Sequence, residues 1–336
     1  MKRETMRATG FRKYGPADVL ETLEVARPVP APGEVLVRVA SAGVNPADAY
    51  LRGGRFRFVT RTKLPFVPGA DVAGVVEAVG ADVTRFEPGE AVYAMLPNLA
   101  GGGYAEYAVV DARDVARVPE GLTLGEAAAV PLAALTALKA LRDGASLKDG
   151  ERVLIHGASG GVGTFAVQIA RAMGARVSGV ASGRNAELVR SLGADEVFDY
   201  VHDDVAPGGA RYDKLFGAVN VFPFRMWRRA LHPGGVIVTV NPALGNAVAR
   251  WISRVVGDVR LEGVLVRPSG PDLERIGAWI STGQIRPVID RRYALSDAAE
   301  AHRYVETRRA RGKLLLVVDE RLAGQTAKRA HHAGTA

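Results

Sequence analysis

Cysteine is absent from the 336-residue chain. That excludes disulfides, thiolate nucleophiles, iron–sulfur clusters and Cys-ligated zinc. Histidine is scarce: His156, His202, His232, His302, His331 and His332 show no metal-ligand spacing, and no metal site is expected. No apolar run approaches the roughly 18 residues that span a bilayer. Met1-Lys2-Arg3-Glu4 leads into polar residues, without the apolar stretch of a secretory signal, so a cytoplasmic protein with no membrane partner is expected. Aromatic residues are few, at 7%, and none interleaves with a basic stripe. The net charge of +8, much of it at the chain ends and from Arg303 to Lys313, therefore reads as solvated surface, and nucleic acid is not the expected partner.

What the chain has is apolar residues, 48% of the total, and 39 glycines that punctuate short Val/Ala-rich runs. At about 150 residues per domain the length suggests two domains. Over residues 1–124, Glu34–Ala40 alternates apolar and polar residues like a half-buried strand, and Val72–Val79 and Glu106–Val110 are further strands. Short strands without long helices predict a barrel-like domain there. The pattern changes at residue 125. Gly125–Leu141 is rich in helix formers, with Pro131 placed to break or begin a helix. Then strands and helices alternate: strand Arg152–His156, helix Val162–Met173 closed by Gly174, strand Ala175–Ala181, and a helix that Asn185 can cap and Gly193 ends. Glu196–Phe198, Lys214–Val219, Val236–Val240 and Leu261–Val266 supply more strands. This spacing predicts a doubly wound parallel sheet over residues 125–266. An amphipathic segment, Asp297–Arg308, precedes the strand Leu314–Val318, which is read as returning to the first domain, so that residues 267–336 join residues 1–124. The polar, basic tail after Arg321 is expected to fray.

His156-Gly-Ala-Ser-Gly-Gly-Val-Gly163 follows a predicted strand and opens a predicted helix. Gly157, Gly160 and Gly163 lack side chains that would bar a pyrophosphate from the backbone, beside a helix N-terminus that favours anions. A dinucleotide cofactor is the expected ligand. An NAD-dependent enzyme usually has a carboxylate about 20 residues further on. Here that stretch reads Ala181-Ser-Gly-Arg-Asn185, with Ser182 and Arg184 in its place. A hydroxyl and a guanidinium can hold a 2′-phosphate that a carboxylate would repel, so the expected cofactor is NADPH. The alternative for Arg184 is a solvated residue at a helix start.

Several motifs occur in order: Gly43-Val-Asn-Pro-Ala-Asp-Ala-Tyr-Leu-Arg-Gly53, Pro65–Gly80, Gly103-Tyr-Ala-Glu-Tyr107, the glycine loop, and Ala301-His302 through Gly312-Lys313. Together, over about residues 7 to 319, they resemble the zinc-independent branch of the medium-chain dehydrogenase/reductase superfamily, the quinone oxidoreductase or ζ-crystallin-like family. The resemblance implies an α/β protein with a GroES-like β-barrel catalytic domain, a Rossmann cofactor domain and a homodimer paired through edge strands such as Leu261–Val266. Zinc-dependent relatives carry a Cys ligand in the first motif and Gly-His-Glu in the second; here those positions read Asn45 and Gly69-Ala70-Asp71. Zinc-assisted alcohol dehydrogenation is thereby not expected, because the Cys and His ligands that would hold the Lewis acid are both missing.

The resemblance also implies site residues. Asn45, Asp48 and Tyr50 line the nicotinamide pocket, with Tyr50 and Asn45 as catalytic residues and Tyr50 the donor to substrate oxygen. Thr136 lies near the carboxamide; Ser159, Gly160, Gly161 and Val162 meet the pyrophosphate; Ser182, Arg184 and Tyr200 hold the 2′-phosphate; Val240, Val266, Arg267 and Lys313 fall in later cofactor-contacting segments. Each has a plainer alternative: Asn45 and Asp48 as turn caps, Tyr50 as a barrel tyrosine, Lys313 as a surface cation. Gly217 and Asn220 depart from the family pattern beside the adenine and ribose. The expected reaction is hydride transfer from NADPH to a quinone or an α,β-unsaturated carbonyl. The alternatives are a dedicated biosynthetic enoyl reductase, and an NADPH-binding sensor, crystallin-like or RNA-binding protein without turnover. The loop bearing Arg52, Arg55, Arg57, Arg61 and Lys63 either draws an anionic substrate or cofactor phosphates, or is a solvated loop.

Overall fold

The computed structural model describes residues 4–55, 57, 63–97, 100–219, 224–240 and 259–327. β1 (Thr5–Gly10) and β2 (Glu21–Ala26) pair antiparallel. β3 (Glu34–Val44), the short helix α1 (Pro46–Arg52), β4 (Asp71–Val79), β5 (Ala91–Met95), β6 (Tyr107–Asp111) and β7 (Val115–Arg117) follow. β3 is longer than its alternating stretch suggested, and it is not half-buried. It pairs with β4 and β6, and from Ala40 onward its outer face is covered by helices, so residues 39–45 are all buried. Val35, Val37 and Val39 point into one core with Val72, Val76, Phe86 and Val92.

The alanine-rich stretch is two helices. Thr123 caps α2 (Leu124–Ala127): its hydroxyl oxygen accepts from Glu126 N–H at 3.1 Å, and the Glu126 carboxylate accepts from Thr123 N–H at 3.0 Å. Pro131 begins α3 (Pro131–Lys139), as its fixed φ and missing N–H favour. Ala133, Ala134 and Ala137 are buried, and their small size lets α3 lie close against the parallel sheet's helices.

That sheet holds, among the described residues, β8 (Arg152–His156), β9 (Arg176–Ala181), β10 (Glu196–Asp199), β11 (Tyr212–Gly217), β12 (Leu231–Thr239) and β13 (Arg260–Gly263), all parallel, in the order β10-β9-β8-β11-β12-β13. α4 (Gly161–Ala172), α5 (Ala186–Ser191) and α6 (Phe224–Ala230) lie between strands. The order reverses between β8 and β11, and in doubly wound sheets ligands bind beyond the carboxyl ends of the strands at that point. The strand expected over Leu261–Val266 stops at Gly263, and Leu265 is 74% exposed. Gly217 has a packing reason of its own: a Cβ there would collide with the buried indole of Trp227. Asn220 lies outside the described residues.

α7 (Gly270–Ser281) had no counterpart in the sequence reading. β14 (Ile289–Ala294), α8 (Ala298–Glu306) and β15 (Lys313–Val317) then bring the chain back to the first sheet, whose order is β14-β15-β3-β4-β5-β7 with β6 on β3. The tail does not fray at Arg321. α9 (Glu320–Ala323) is capped by Asp319, and Ala327 N–H bonds Leu122 O at 3.1 Å, so the chain is tied to the start of α2 through Ala327. No helix among the described residues is long and apolar enough to cross a membrane.

Candidate functional site

The glycine loop lies at the reversal point. Gly157 takes φ +80°, and its N–H and that of Ala158 both bond Val180 O at 3.0 Å, turning the chain off β8 across the end of β9. A Cβ on Gly163 would strike Gly157 O, so only glycine closes this turn, whereas a Cβ on Gly160 would meet nothing nearer than 3.5 Å. The loop thus leaves backbone open at Gly160, just ahead of the unpaired N–H groups of the 12-residue α4. That cradle fits a dinucleotide pyrophosphate. Val162 is half-buried in the first turn of α4. Ser159 is fixed from two sides: its hydroxyl accepts from Asn185 Nδ2 at 3.0 Å and its carbonyl from Gly312 N–H at 3.0 Å. Asn185 therefore does not cap α5 with its side chain; that side chain is committed to the glycine loop.

Beyond β9, Ser182 is half-buried and Arg184 is exposed with no acidic partner among the described residues. Parallel pairing sets Asp199 opposite Ala181, so Tyr200, 63% exposed, follows β10 where Ser182 follows β9. The three residues share one rim of the sheet. Sequence reasoning missed Asp199, whose Oδ2 lies 2.6 Å from where a Cβ on Gly183 would stand. Val240 follows β12, with its N–H on Gly217 O at 3.2 Å; Val266 is half-buried and Arg267 exposed beyond β13.

The other half of the site grows from β3. Asn45 precedes α1, and Asp48 accepts from Asn45 N–H at 2.9 Å and from Gly69 N–H at 3.2 Å. Tyr104 adds its hydroxyl to Asp48 Oδ2 at 3.2 Å and contacts His302 Nε2 at 3.2 Å. The phenol has one proton; with it on Asp48, the Nε2–H tautomer of His302 is the donor to the phenol oxygen. Burial foremost pushes the Asp48 carboxyl up to about 6, aided by Asp71 and opposed by its hydrogen bonds and Lys313. Burial, then the Arg52 charge, hold His302 down to about 3. Asp48, like Asn45, is buried (2% and 3% exposed), and its carboxylate accepts from Asn45 and Gly69 N–H and the Tyr104 hydroxyl, which fixes α1 to its neighbours.

Register brings distant residues onto Asn45. β15 pairs with β3 so that Leu314 faces Val44, and β4 pairs with β3 so that Asp71 faces Gly43. Asn45 Nδ2 donates to Asp71 Oδ2 at 2.9 Å, and the Lys313 ammonium donates to Asn45 Oδ1, to Asp71 Oδ2 at 3.1 Å and to Val44 O at 3.4 Å. Lys313 is no surface cation, being 3% exposed, and all three ammonium protons are committed inside the protein; its stem faces Gly161. Asp71 Oδ1 accepts from Leu132 N–H at 2.6 Å, and Thr136 donates back to Leu132 O at 2.7 Å. Tyr50 is half-buried with the Arg55 guanidinium 4.9 Å above its ring. Arg52 does not belong to the basic loop: it is 2% exposed and paired with Glu306. Arg61 lies outside the described residues. Asp71, Tyr104, Asn185, Asp199 and His302 were given no site role by sequence reasoning, because tertiary packing and strand register, not local pattern, bring them to the site.

Comparison with known proteins matches residues 31–120 to a family described as alcohol dehydrogenase GroES-like domain and residues 192–316 to one described as zinc-binding dehydrogenase. A chloroplast envelope quinone oxidoreductase homolog of Arabidopsis thaliana is 35% identical over 327 residues, 94% of this chain and 99% of that protein. The chain belongs to the zinc-independent quinone oxidoreductase family of the medium-chain dehydrogenase/reductase superfamily. Mouse mitochondrial NAD(P)H oxidoreductase RTN4IP1 is 37% identical, over 91% of this chain and 87% of that one. The solved quinone oxidoreductase of Coxiella burnetii superposes with a TM-score of 0.86 at 30% identity, covering 94% of this chain and all of that one. This quinone oxidoreductase family member is accordingly an oxidoreductase that uses a nicotinamide cofactor on a small-molecule substrate. Its first sheet is the GroES-like part and its parallel sheet the Rossmann part. Asn45, at the first of the positions that the sequence resemblance compares with zinc ligands, is bonded to Lys313 and to Asp71 of the second, Gly69-Ala70-Asp71.

Proposed function

We propose that the protein reduces quinones or α,β-unsaturated carbonyls with NADPH. The observation that carries this reading is the joining of its two halves: Gly312 N–H holds Ser159 of the glycine loop while the next residue, Lys313, holds Asn45 at the start of the helix bearing Tyr50. The glycine loop would hold the cofactor's pyrophosphate, and Asn45 and Tyr50 would stand beside its nicotinamide. When bound, it supplies a hydride.

The chain's own residues do the rest. Tyr50 donates a hydrogen bond from its hydroxyl to the acceptor oxygen, on which negative charge develops as an enolate or quinolate forms, and solvent supplies the proton that completes the reduction. The Arg55 guanidinium over the ring holds the phenol in place by a cation–π contact. Asn45 has one Nδ2–H without a protein acceptor among the described residues, free to orient a ligand amide or oxygen. Conjugated acceptors are already activated, so hydrogen bonds and alignment suffice. Ser182, Arg184 and Tyr200 bind the 2′-phosphate, with Arg184 supplying the charge-assisted bond. Two copies pair along β13, one of the two edge strands of the parallel sheet among the described residues, beside which Leu265 is exposed; light scattering that finds a monomer at micromolar concentration would remove this element.

The experiment is NADPH oxidation by the purified protein against a panel of quinones and enones, with NADH in parallel. Turnover with NADPH strongly preferred is expected. Equal use of NADH would defeat the 2′-phosphate assignment, and absence of turnover with tight NADPH binding would defeat the assigned reaction.

A further inference from the structure

Asp71 begins β4, is fully enclosed, and is assigned no task in the reaction described above. Its oxygens serve three donors: Leu132 N–H on Oδ1, and Asn45 Nδ2–H and the Lys313 ammonium on Oδ2. Lys313 places its remaining protons on Asn45 Oδ1 and Val44 O. The carboxamide of Asn45 is therefore held at both ends, its NH2 by an anion and its oxygen by a cation. Flipping it would set ammonium against NH2 and carboxylate against carbonyl. The surroundings are shaped to this pair. A Cβ on Gly43 would fall 2.6 Å from Asp71 Oδ2 and 2.7 Å from Ala128 O, so glycine is needed there to admit the carboxylate. On the other side the Lys313 stem lies against Gly161, where a Cβ would be 3.1 Å from Cδ.

We propose that Asp71 and Lys313 are a positioning pair that sets the carboxamide of Asn45 for reaction, and that Lys313 is not a ligand of the cofactor phosphates. The inference rests on the reading of Asn45 as a residue beside the nicotinamide. A buried ion pair is an uncertain source of stability, since a well-packed apolar pair often does as well, but removing one partner strands the other charge. Orientation of the group between them is the task the geometry supports.

The test uses the full-length protein as D71N, K313M, N45A, N45A/D71N and D71L/K313M, the last leaving no unpaired buried charge if a single variant fails to fold. NADPH affinity and the emission yield of bound NADPH are read by fluorescence, and kcat and KM with one quinone and one enone. D71N is expected to lower kcat about tenfold or more and to change the emission yield, with NADPH affinity held within about threefold. N45A/D71N is expected to be no slower than the slower single variant, because both remove one device. D71L/K313M is expected to fold and to be as slow as D71N. Effects of N45A and D71N that multiply, parental turnover in D71L/K313M, or a loss of about tenfold in NADPH affinity in K313M would each overturn the proposal. If the parent reduces no acceptor, the functional reading fails alone. The emission yield then still decides the pair: a change in both D71N and D71L/K313M supports it, and no change overturns it.

Discussion

Tyr50 offers one hydroxyl at the site, and its replacement isolates one hydrogen bond. Tyr50→Phe keeps the ring against Arg55 and removes only the donor. Losing a donor aimed at developing negative charge lowers kcat by about 10²-fold in comparable sites, so stopped-flow reduction of an enone should show a loss of that order with NADPH affinity unchanged. Full turnover in the variant would remove Tyr50 from the reaction. Arg184→Ala should cost about 1.5–3 kcal/mol of NADPH binding, the worth of a charge-assisted hydrogen bond, and leave NADH binding unchanged; isothermal titration with both cofactors measures the difference. Equal losses for the two would mean that Arg184 does not read the phosphate. The glycine loop was legible in sequence because the turn at Gly157 and Gly163 is a local requirement; Ser182 and Arg184 were singled out by their distance from it, and Asn45 and Tyr50 by family resemblance. Asp71 and Lys313 are 242 positions apart, and their pairing depends on β3 having β4 on one side and β15 on the other. No local pattern encodes that.

At the scale of elements, local signals located what packing then adjusted. Pro131 and Thr123 mark helix starts as their chemistry requires, and Thr123→Ala should cost about 1 kcal/mol, read as a lowered urea midpoint without change in slope. An unchanged midpoint would mean that the contact of Ala327 with Leu122 holds this corner by itself. α7 carried a legible start, with Ser269 accepting from Asp272 N–H and a proline in the first turn, but its apolar face is sparse enough that the surrounding polar residues hid it. β3 was read as half-buried because Arg38 interrupts its apolar run, although strands on both sides and covering helices bury most of it. The departure at Gly217 needed a tertiary fact, the Trp227 ring resting where a side chain would be. Gly217→Ala should therefore destabilise by about 1–3 kcal/mol through overpacking while NADPH affinity stays within a few-fold. A variant of parental stability but weak NADPH binding would return Gly217 to the cofactor floor.

On the scale of the whole molecule, the first helix and a late one meet in a core of Phe11, Ala42, Leu51, Ala301 and Leu314, where Tyr104 joins Asp48 to His302. Their ring planes cross at 80°, with centroids 5.7 Å apart. Two titrations of opposite sign are stored there. His302 is held neutral down to about pH 3, so below its ordinary value near 6.5 the unfolded chain binds a proton that the folded chain does not, and stability is lost as pH falls through that window. Asp48 titrates near 6 when folded, so above the ordinary carboxylate range the folded chain keeps a proton that the unfolded chain has released, and stability is lost as pH rises toward and through 6. Between pH 4 and 6 each accounts for about one proton, at about 1.4 kcal/mol per pH unit, and the two slopes nearly cancel. Removing either group should expose the other. The stability deficit of His302→Gln should shrink by about 2 kcal/mol between pH 6.5 and 4.5, because only the parent is then opposed by the unfolded chain's imidazolium. The deficit of Asp48→Asn should grow by a similar amount over the same range, because only the parent gains from protonating the buried carboxyl. Denaturant unfolding of the three proteins at both pH values checks this. Deficits that stay flat with pH would mean that the pair does not titrate as its burial dictates, and that α1 is held against α8 by packing alone.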